Sequence, residues 1–370
     1  MPILLQPSVV TMTSRLSLSA FLARARTALT APAAQRKGPL TFVVGNESAD
    51  LDSLCSAVVY AYIRSHTPPH TLHIPLSNLP RDDLALRTEM NAVLKHAGLN
   101  LTDLLTLSEL PDLKPEETRW LLVDHNSLTG PLAKYSGQVF GCVDHHADEG
   151  TVPKDADPRV IEPCGSCMSL VVDESRKVWE ELCRDVGEDE KARQDRSSSH
   201  PLRYRQPNLE RKSQKTYFDE ISAVKEDISH LSFRDIFRKD YKEWDGSGLK
   251  LGISCIVQNL DYLVDKAGDP KTLLDDFEAW AKERKLDVAS IMTTSRPDGE
   301  FQRHLLVWGL TDGGRGAVER FVRDGERLKL ETWKGGVLDD DETRFAWRQR
   351  ELGASRKQVA PLLREALQKS

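Results

Sequence analysis

Val139-Phe140-Gly141-Cys142-Val143-Asp144-His145-His146 decides how this chain is read. An apolar run ends abruptly in one carboxylic acid and two imidazoles. Short apolar runs of this kind read as buried strands, and the acid and imidazoles then mark the strand's carboxyl end. Working outward, the pattern recurs twice. Thr41-Phe42-Val43-Val44 leads into Gly45-Asn46-Glu47-Ser48-Ala49-Asp50-Leu51-Asp52-Ser53, and Trp120-Leu121-Leu122-Val123 leads into Asp124-His125-Asn126. Leu72-His73-Ile74-Pro75 is a fourth candidate strand. Between the strands, Ser53 to Arg64 and Asp82 to His96 carry helical spacing. Strand-helix alternation from Leu40 to about Trp179 predicts an α/β fold with a parallel sheet and helices on both of its faces.

In an open parallel sheet the ligand crevice lies outside the carboxyl ends of the strands. Three such ends would gather Asp50, Asp52, Asp124, His145 and His146. Any one of these clusters alone is explained as well by a helix N-cap or a loop residue. Three together, each directly after an apolar run, point to a divalent-metal site. Its oxygen-rich donor set favours Mg²⁺ or Mn²⁺. Two such ions about 3.5–4 Å apart would serve hydrolytic phosphoryl transfer.

The rest of the chain sets the frame. Its 370 residues carry 51 basic and 57 acidic side chains, a net charge of −6. That length predicts two domains, and the charge argues against a general nucleic-acid binder. No apolar run approaches the ~20 residues of a membrane span. Six scattered cysteines make no disulfide framework, so a reducing compartment is expected. Residues 1–39 hold no acid, and Arg15, Arg24, Arg26, Arg36 and Lys37 lie among Ser, Thr and Ala. They read as a mitochondrial targeting segment or as a helix with Leu18, Phe21, Leu22, Ala25 and Leu29 on its packed face. The first domain then spans 40–183, and 184–215 is too polar to bury a face and reads as a linker or insertion. The second domain spans 216–370. It opens with a long amphipathic helix from Phe218 to Trp244. Candidate strands follow at Leu249 to Gln258, Asp287 to Thr293, His304 to Gly309 and Arg327 to Trp333. Ser355 is placed as the N-cap of a closing helix. Cys164-Gly165-Ser166-Cys167 has no second cysteine pair, so it reads as a helix opening with cysteines as small packing residues, not as a zinc or redox site.

The motifs together resemble the DHH phosphoesterase superfamily, which includes family II inorganic pyrophosphatases, fungal exopolyphosphatases and the prune proteins. The run from Gly45 to Ser53 looks most like the exopolyphosphatases. Pyrophosphatases usually carry His at the place of Asn46, and prune proteins typically have Arg in place of His146. The second region is similar to the DHHA2 domain, through Arg238-Lys239-Asp240-Tyr241-Lys242-Glu243-Trp244 and Ser355-Arg356-Lys357-Gln358. The resemblance implies a parallel-sheet DHH domain followed by a smaller, mixed α/β DHHA2 domain. It implies two Mn²⁺ or Mg²⁺ ions, one held by Asp50 and Asp124 and the other by Asp52, Asp124 and His145. Asn46 would be at best a weak, neutral ligand of the first. His146 would meet a phosphate oxygen or the leaving group, with Asp144 supporting the histidine pair. Lys239, Lys242, Arg356 and Lys357 would grip phosphates. The implied activity is removal of terminal phosphate from inorganic polyphosphate by in-line attack of a metal-activated water. Pyrophosphate hydrolysis is the close alternative. A cytoplasmic monomer is expected, or a mitochondrial-matrix one if the N-terminus is a targeting segment.

One departure stands out. Family members carry a fourth Asp motif after a further apolar strand, and here that place falls between Trp179 and Tyr217. Asp173 would be a substitute, but Leu170-Val171-Val172 before it reads as helix. Asp185, Asp189 and Asp195 lie in solvated charge runs. Either the activity is weakened, leaving a phosphate- or polyphosphate-binding protein, or an exon boundary has been misread in this stretch.

Overall fold

A computed structural model of the chain describes residues 16–36, 38–196, 214–340 and 342–368. Arg15, Lys37 and residues 197–213 of the expected linker lie outside the described residues.

Helix α1 (Leu18–Thr30) begins at Ser17, whose Oγ accepts the Ala20 N–H, and buries Phe21, Leu22, Ala25 and Leu29, the expected face. Then come β1 (Leu40–Val44), α2 (Leu51–His66), β2 (His73–Leu76), α3 (Thr88–His96), β3 (Thr118–Val123), β4 (Val139–Asp144), β5 (Arg159–Ile161) and α4 (Cys167–Arg196). The five strands form a parallel sheet in the order β2-β1-β3-β4-β5. Phe42, Val43 and Val44 are all fully buried. Successive strand residues point to opposite faces, so both faces of β1 are covered, and the run is continuous for that reason. Because the strands are parallel, Val44, Val123 and Asp144 end at one edge. The chain order reverses between β1 and β3, the usual place for a ligand crevice. Helix α4 continues to Arg196, well into the stretch expected as linker from 184. Its Glu, Lys, Arg and Gln residues are good helix formers and extend a helix already begun.

The long helix expected from Phe218 to Trp244 is three elements: α5 (Gln214–Glu226), α6 (Phe233–Lys239) and β6 (Tyr241–Gly246). Asp227 Oδ1 accepts both the N–H and the O–H of Ser229, and Ser232 Oγ accepts the Asp235 N–H to start α6. These short polar side chains offer the backbone local turn and cap bonds in place of helical ones. Ser247 and Gly248, with φ of 51° and 77°, make a two-residue turn that folds β6 onto β7 (Leu249–Ile256). The remaining elements are α7 (Leu260–Ala267), α8 (Pro270–Arg284), β8 (Val288–Thr293), β9 (His304–Gly309), α9 (Asp312–Asp324), β10 (Leu330–Thr332), β11 (Arg344–Gln349) and α10 (Arg356–Gln368). The expected strand from Arg327 shortens to β10, because Gly325–Leu328 is a 3₁₀ turn. The six strands form a mixed sheet, β10-β11-β9-β8-β7-β6, in which only β7 and β8 run parallel. Alternating residues feed two cores. Ile291 and Leu306 pack with Phe237, Leu263 and Phe277 on one side, while Ile253 and Val307 pack with Phe321, Val359 and Leu363 on the other.

The chain separates into two compact units. One holds Met1–Val44, Cys55–Ser77 and Ala97–Asn208, and the other holds Gly45–Leu54, Asn78–His96 and Leu209–Ser370. The loop after β1 and helix α3, which a boundary at 183 would leave with the first sheet, are thus part of the second unit. Side chains fasten α3 there: Thr88 donates to the Val224 carbonyl at 3.0 Å, and Lys239 meets Glu89 at 2.9 Å.

Candidate functional site

In the first unit, Asp124, His145 and His146 each offer a ligand atom within 4.8 Å of the other two. Asp124 follows β3 with φ of 61° and donates its N–H to the Val143 carbonyl of β4. A non-glycine residue in the left-handed region is uncommon, and Asp is among the side chains that tolerate it. The residue is 2% exposed. His145 Nδ1–H donates to the Cys164 carbonyl at 2.9 Å, so Nε2 is the ring atom facing Asp124 Oδ1, at 3.0 Å. An imidazole nitrogen and a carboxylate oxygen this close are a donor pair for a shared cation, and a backbone carbonyl on the far ring nitrogen is the usual orienting partner of a metal-bound histidine. The donor set fits a divalent metal ion.

Asp144 is fully buried behind this pair. Its Oδ1 accepts the N–H of His145 at 2.8 Å and His146 Nδ1–H at 2.7 Å, and its Oδ2 accepts the Asn126 amide at 2.6 Å. Burial works to raise its pKa, but the His146 and Asn126 bonds outweigh that and hold it at about 2. Asp144 therefore stays charged and fixes the His146 ring, leaving Nε2 as the ring nitrogen available to a reactant. Asn126 belongs to the second motif, yet a ligand search by residue type passes over it. Its amide also donates to the Ala147 carbonyl, while its oxygen accepts the Glu149 N–H, so it ties the second motif to the third. Cys167 is buried as a packing residue, but Cys164 is exposed, and what it contributes is its carbonyl. Asp173 lies on α4 and pairs with Arg176 at the surface.

The first motif lies in the second unit. Gly45 is required there, since a Cβ would fall 2.7 Å from Ser53 Cβ. Asn46 Oδ1 accepts both the N–H and the O–H of Ser48, at 2.9 and 2.6 Å. With both lone pairs engaged by Ser48, Asn46 shapes the loop in this structure. Asp50 Oδ1 accepts the Ser53 N–H at 3.0 Å and so caps α2, and Asp52 sits in that helix's first turn. Both are half-buried.

Arg356, the first residue of α10, pairs with Asp240 at 2.7 Å and reaches Ser48 Oγ at 3.4 Å. Burial works to lower its pKa, but Asp240, with Asp50, holds it up. The phosphate-gripping role expected of Lys239 is not available to it. Its side chain is buried, paired with Glu89 and donating to the Leu86 carbonyl. A buried ammonium needs that partner, and the pair closes α6 onto α3. Lys242 is half-buried on β6, and Lys357 is exposed in the first turn of α10. Sequence reasoning missed Arg87, which is 4% exposed and donates to the carbonyls of Ser48 and Ala49.

The sequence model of the DHH family, N-terminal domain, matches residues 41–190, and that of the DHHA2 domain matches residues 219–366. A Schizosaccharomyces pombe protein named "Putative exopolyphosphatase" is 28% identical over 363 residues, covering 88% of this chain and 91% of its own. The exopolyphosphatase PRUNE1 of Bos taurus is 26% identical over 366 residues, covering 90% of this chain and 77% of its own. The crystal structure of a Methanococcus jannaschii "putative family II inorganic pyrophosphatase" superposes with a TM-score of 0.52 at 16% identity, over 89% of this chain and 99% of that one. At that identity it speaks for the fold.

Proposed function

The chain belongs to the DHH family and carries the DHHA2 domain behind it, and from that premise we propose that it is a metal-dependent exopolyphosphatase. The observation that carries the reading is the cluster of Asp124, His145 and His146 at the carboxyl edge of a parallel sheet, with Asp144 held charged behind it. The names of the relatives at 28% and 26% identity point the same way. The ligands proposed for two Mn²⁺ or Mg²⁺ ions are Asp124 and His145, joined, on the sequence pattern, by Asp50 and Asp52. Such ions supply an activated water and offset the charge of a phosphoryl group. The chain's own residues do the rest. His145 is oriented by the Cys164 carbonyl and His146 by Asp144, so that His146 Nε2 meets a phosphoryl oxygen. Arg356 is the proposed phosphate-binding cation, with Lys357 and Lys242 as further ones. The substrate is inorganic polyphosphate.

Phosphate release from long-chain polyphosphate, with pyrophosphate measured in parallel and Mn²⁺ or Mg²⁺ added, tests this. The parent chain should release phosphate from polyphosphate, and Asp124→Ala should lower the rate at least about 10²-fold, as loss of one transition-state-stabilising group does. Equal rates for parent and variant would sink the reading. Preference for pyrophosphate would favour the pyrophosphatase alternative. A second reading, a polyphosphate-binding protein without turnover, is favoured by the surface pairing of Asp173. Calorimetric binding of polyphosphate with no release at any metal concentration would establish it instead.

A further inference from the structure

The segment Gly45–Leu54, a loop running into the first turn of α2, carries two of the proposed metal ligands, and its loop part is held by its backbone. Ala49 has φ of 45° and is fully buried, and Ser48 is 1% exposed. A left-handed backbone is unfavourable for alanine, and carbonyls buried this deeply need a partner from the protein. Both partners come from one side chain. Arg87 Nε donates to the Ala49 carbonyl at 2.8 Å, and Nη2 donates to the Ser48 carbonyl. Asp50, the next residue, is fixed at its other end by the Ser53 N–H. The guanidinium charge is offset within the same unit by Asp240, Glu89, Asp50 and Asp83. Only a planar fork offers two rigid, divergent N–H donors to successive carbonyls, and an ammonium does not.

We propose that Arg87 is the positioning residue of the first metal-binding motif: it pins the Ser48-Ala49 turn and thereby sets where Asp50 and Asp52 present their carboxylates. Arg87 touches neither metal nor substrate in this role and acts through the backbone. The inference rests on the assignment of Asp50 and Asp52 as ligands. It places a determinant of metal affinity at Arg87, immediately before α3, 37 residues along the chain from Asp50.

Titration calorimetry of Mn²⁺ into the metal-stripped full chain tests it, without any need for turnover. Arg87→Gln should raise the Mn²⁺ dissociation constant about 10- to 100-fold, the usual cost of losing an orienting partner behind a ligand. Arg87→Lys, which keeps the charge and one donor, should recover part of that loss and serves as the test if Arg87→Gln does not fold. Leu306→Ala, a cavity in the core of the same unit, controls for destabilisation alone and should leave Mn²⁺ affinity at the parental value. Affinity of the Arg87 variants equal to the parent's, or lowered no further than in Leu306→Ala, would overturn the inference while leaving the metal site standing. Failure of the parent itself to bind Mn²⁺ would overturn the metal assignment and this inference with it.

Discussion

Asp144 never faces a reactant, yet the first unit's histidines depend on it. Its carboxylate receives the backbone of His145, the ring of His146 and the amide of Asn126. Asp144→Asn removes the charge and turns one of these acceptors into a donor, so the His146 ring loses its anchor. Activity at saturating metal should fall about 10- to 100-fold, with near-parental helix content by circular dichroism. An unchanged rate would show that the His146 ring needs no such anchor. At this scale the sequence was legible where function shows in residue type. Asp124, His145 and His146 stood out because several clusters of acids and imidazoles following apolar runs are hard to reach by chance, although one alone is common. Asn126 and Arg87 did not, since their roles are hydrogen bonds to partners that only folding brings near. Lys239 was misread for the same reason: it looks like a phosphate-binding cation in sequence, and its ammonium is engaged by Glu89 and Leu86, about 150 residues away along the chain.

Helices and strands carry a prediction of their own through that lysine. Lys239 ends α6 and pairs with Glu89 in the first turn of α3, both side chains less than 10% exposed. Lys239→Met should destabilise the fold by about 3–5 kcal/mol, because it leaves a buried carboxylate unpaired, while KM for polyphosphate stays at the parental value. A raised KM with unchanged melting temperature would return Lys239 to the substrate site. The strands β1, β3 and β4 were plain because a short apolar run bounded by polar or turn-forming residues has one natural reading. The Phe218 to Trp244 stretch was not. Its apolar residues fit a helical period throughout, and the breaks come from local bonds of Asp227 and Ser232 and from the β6–β7 turn at Ser247-Gly248.

Over the whole molecule, the dependence of stability on pH follows from two buried histidines, one in each unit. Burial lowers both His73 and His304 to about 4, from an ordinary value near 6.5. As pH falls below 6.5 the unfolded chain takes up a proton at each, and the folded chain does not until about pH 4. Their contribution is therefore complete above 6.5 and is lost progressively between 6.5 and 4, at up to ~1.4 kcal/mol per pH unit for each histidine. Asp144, held at about 2, extends the loss below pH 4. Calorimetric melting temperatures should fall steadily from pH 7 to pH 4.5, and His73→Gln with His304→Gln should flatten the profile. A flat profile in the parent would rule this out.

The sequence alone determined the parallel sheet, the acid and imidazole clusters that end β3 and β4, the second α/β domain and the likeness of the two regions to the DHH and DHHA2 domains. Those features follow from periodicity and residue type, which are local properties of a chain. Tertiary structure decided that the loop of Asp50 and Asp52 packs in the unit of α10, that Arg87 and Arg356 hold Ser48 from two sides, and that Asp144 is buried and charged. The contacts of Ser48 join residues tens to hundreds of positions apart, and no local pattern encodes which distant partner will meet a buried carbonyl or carboxylate.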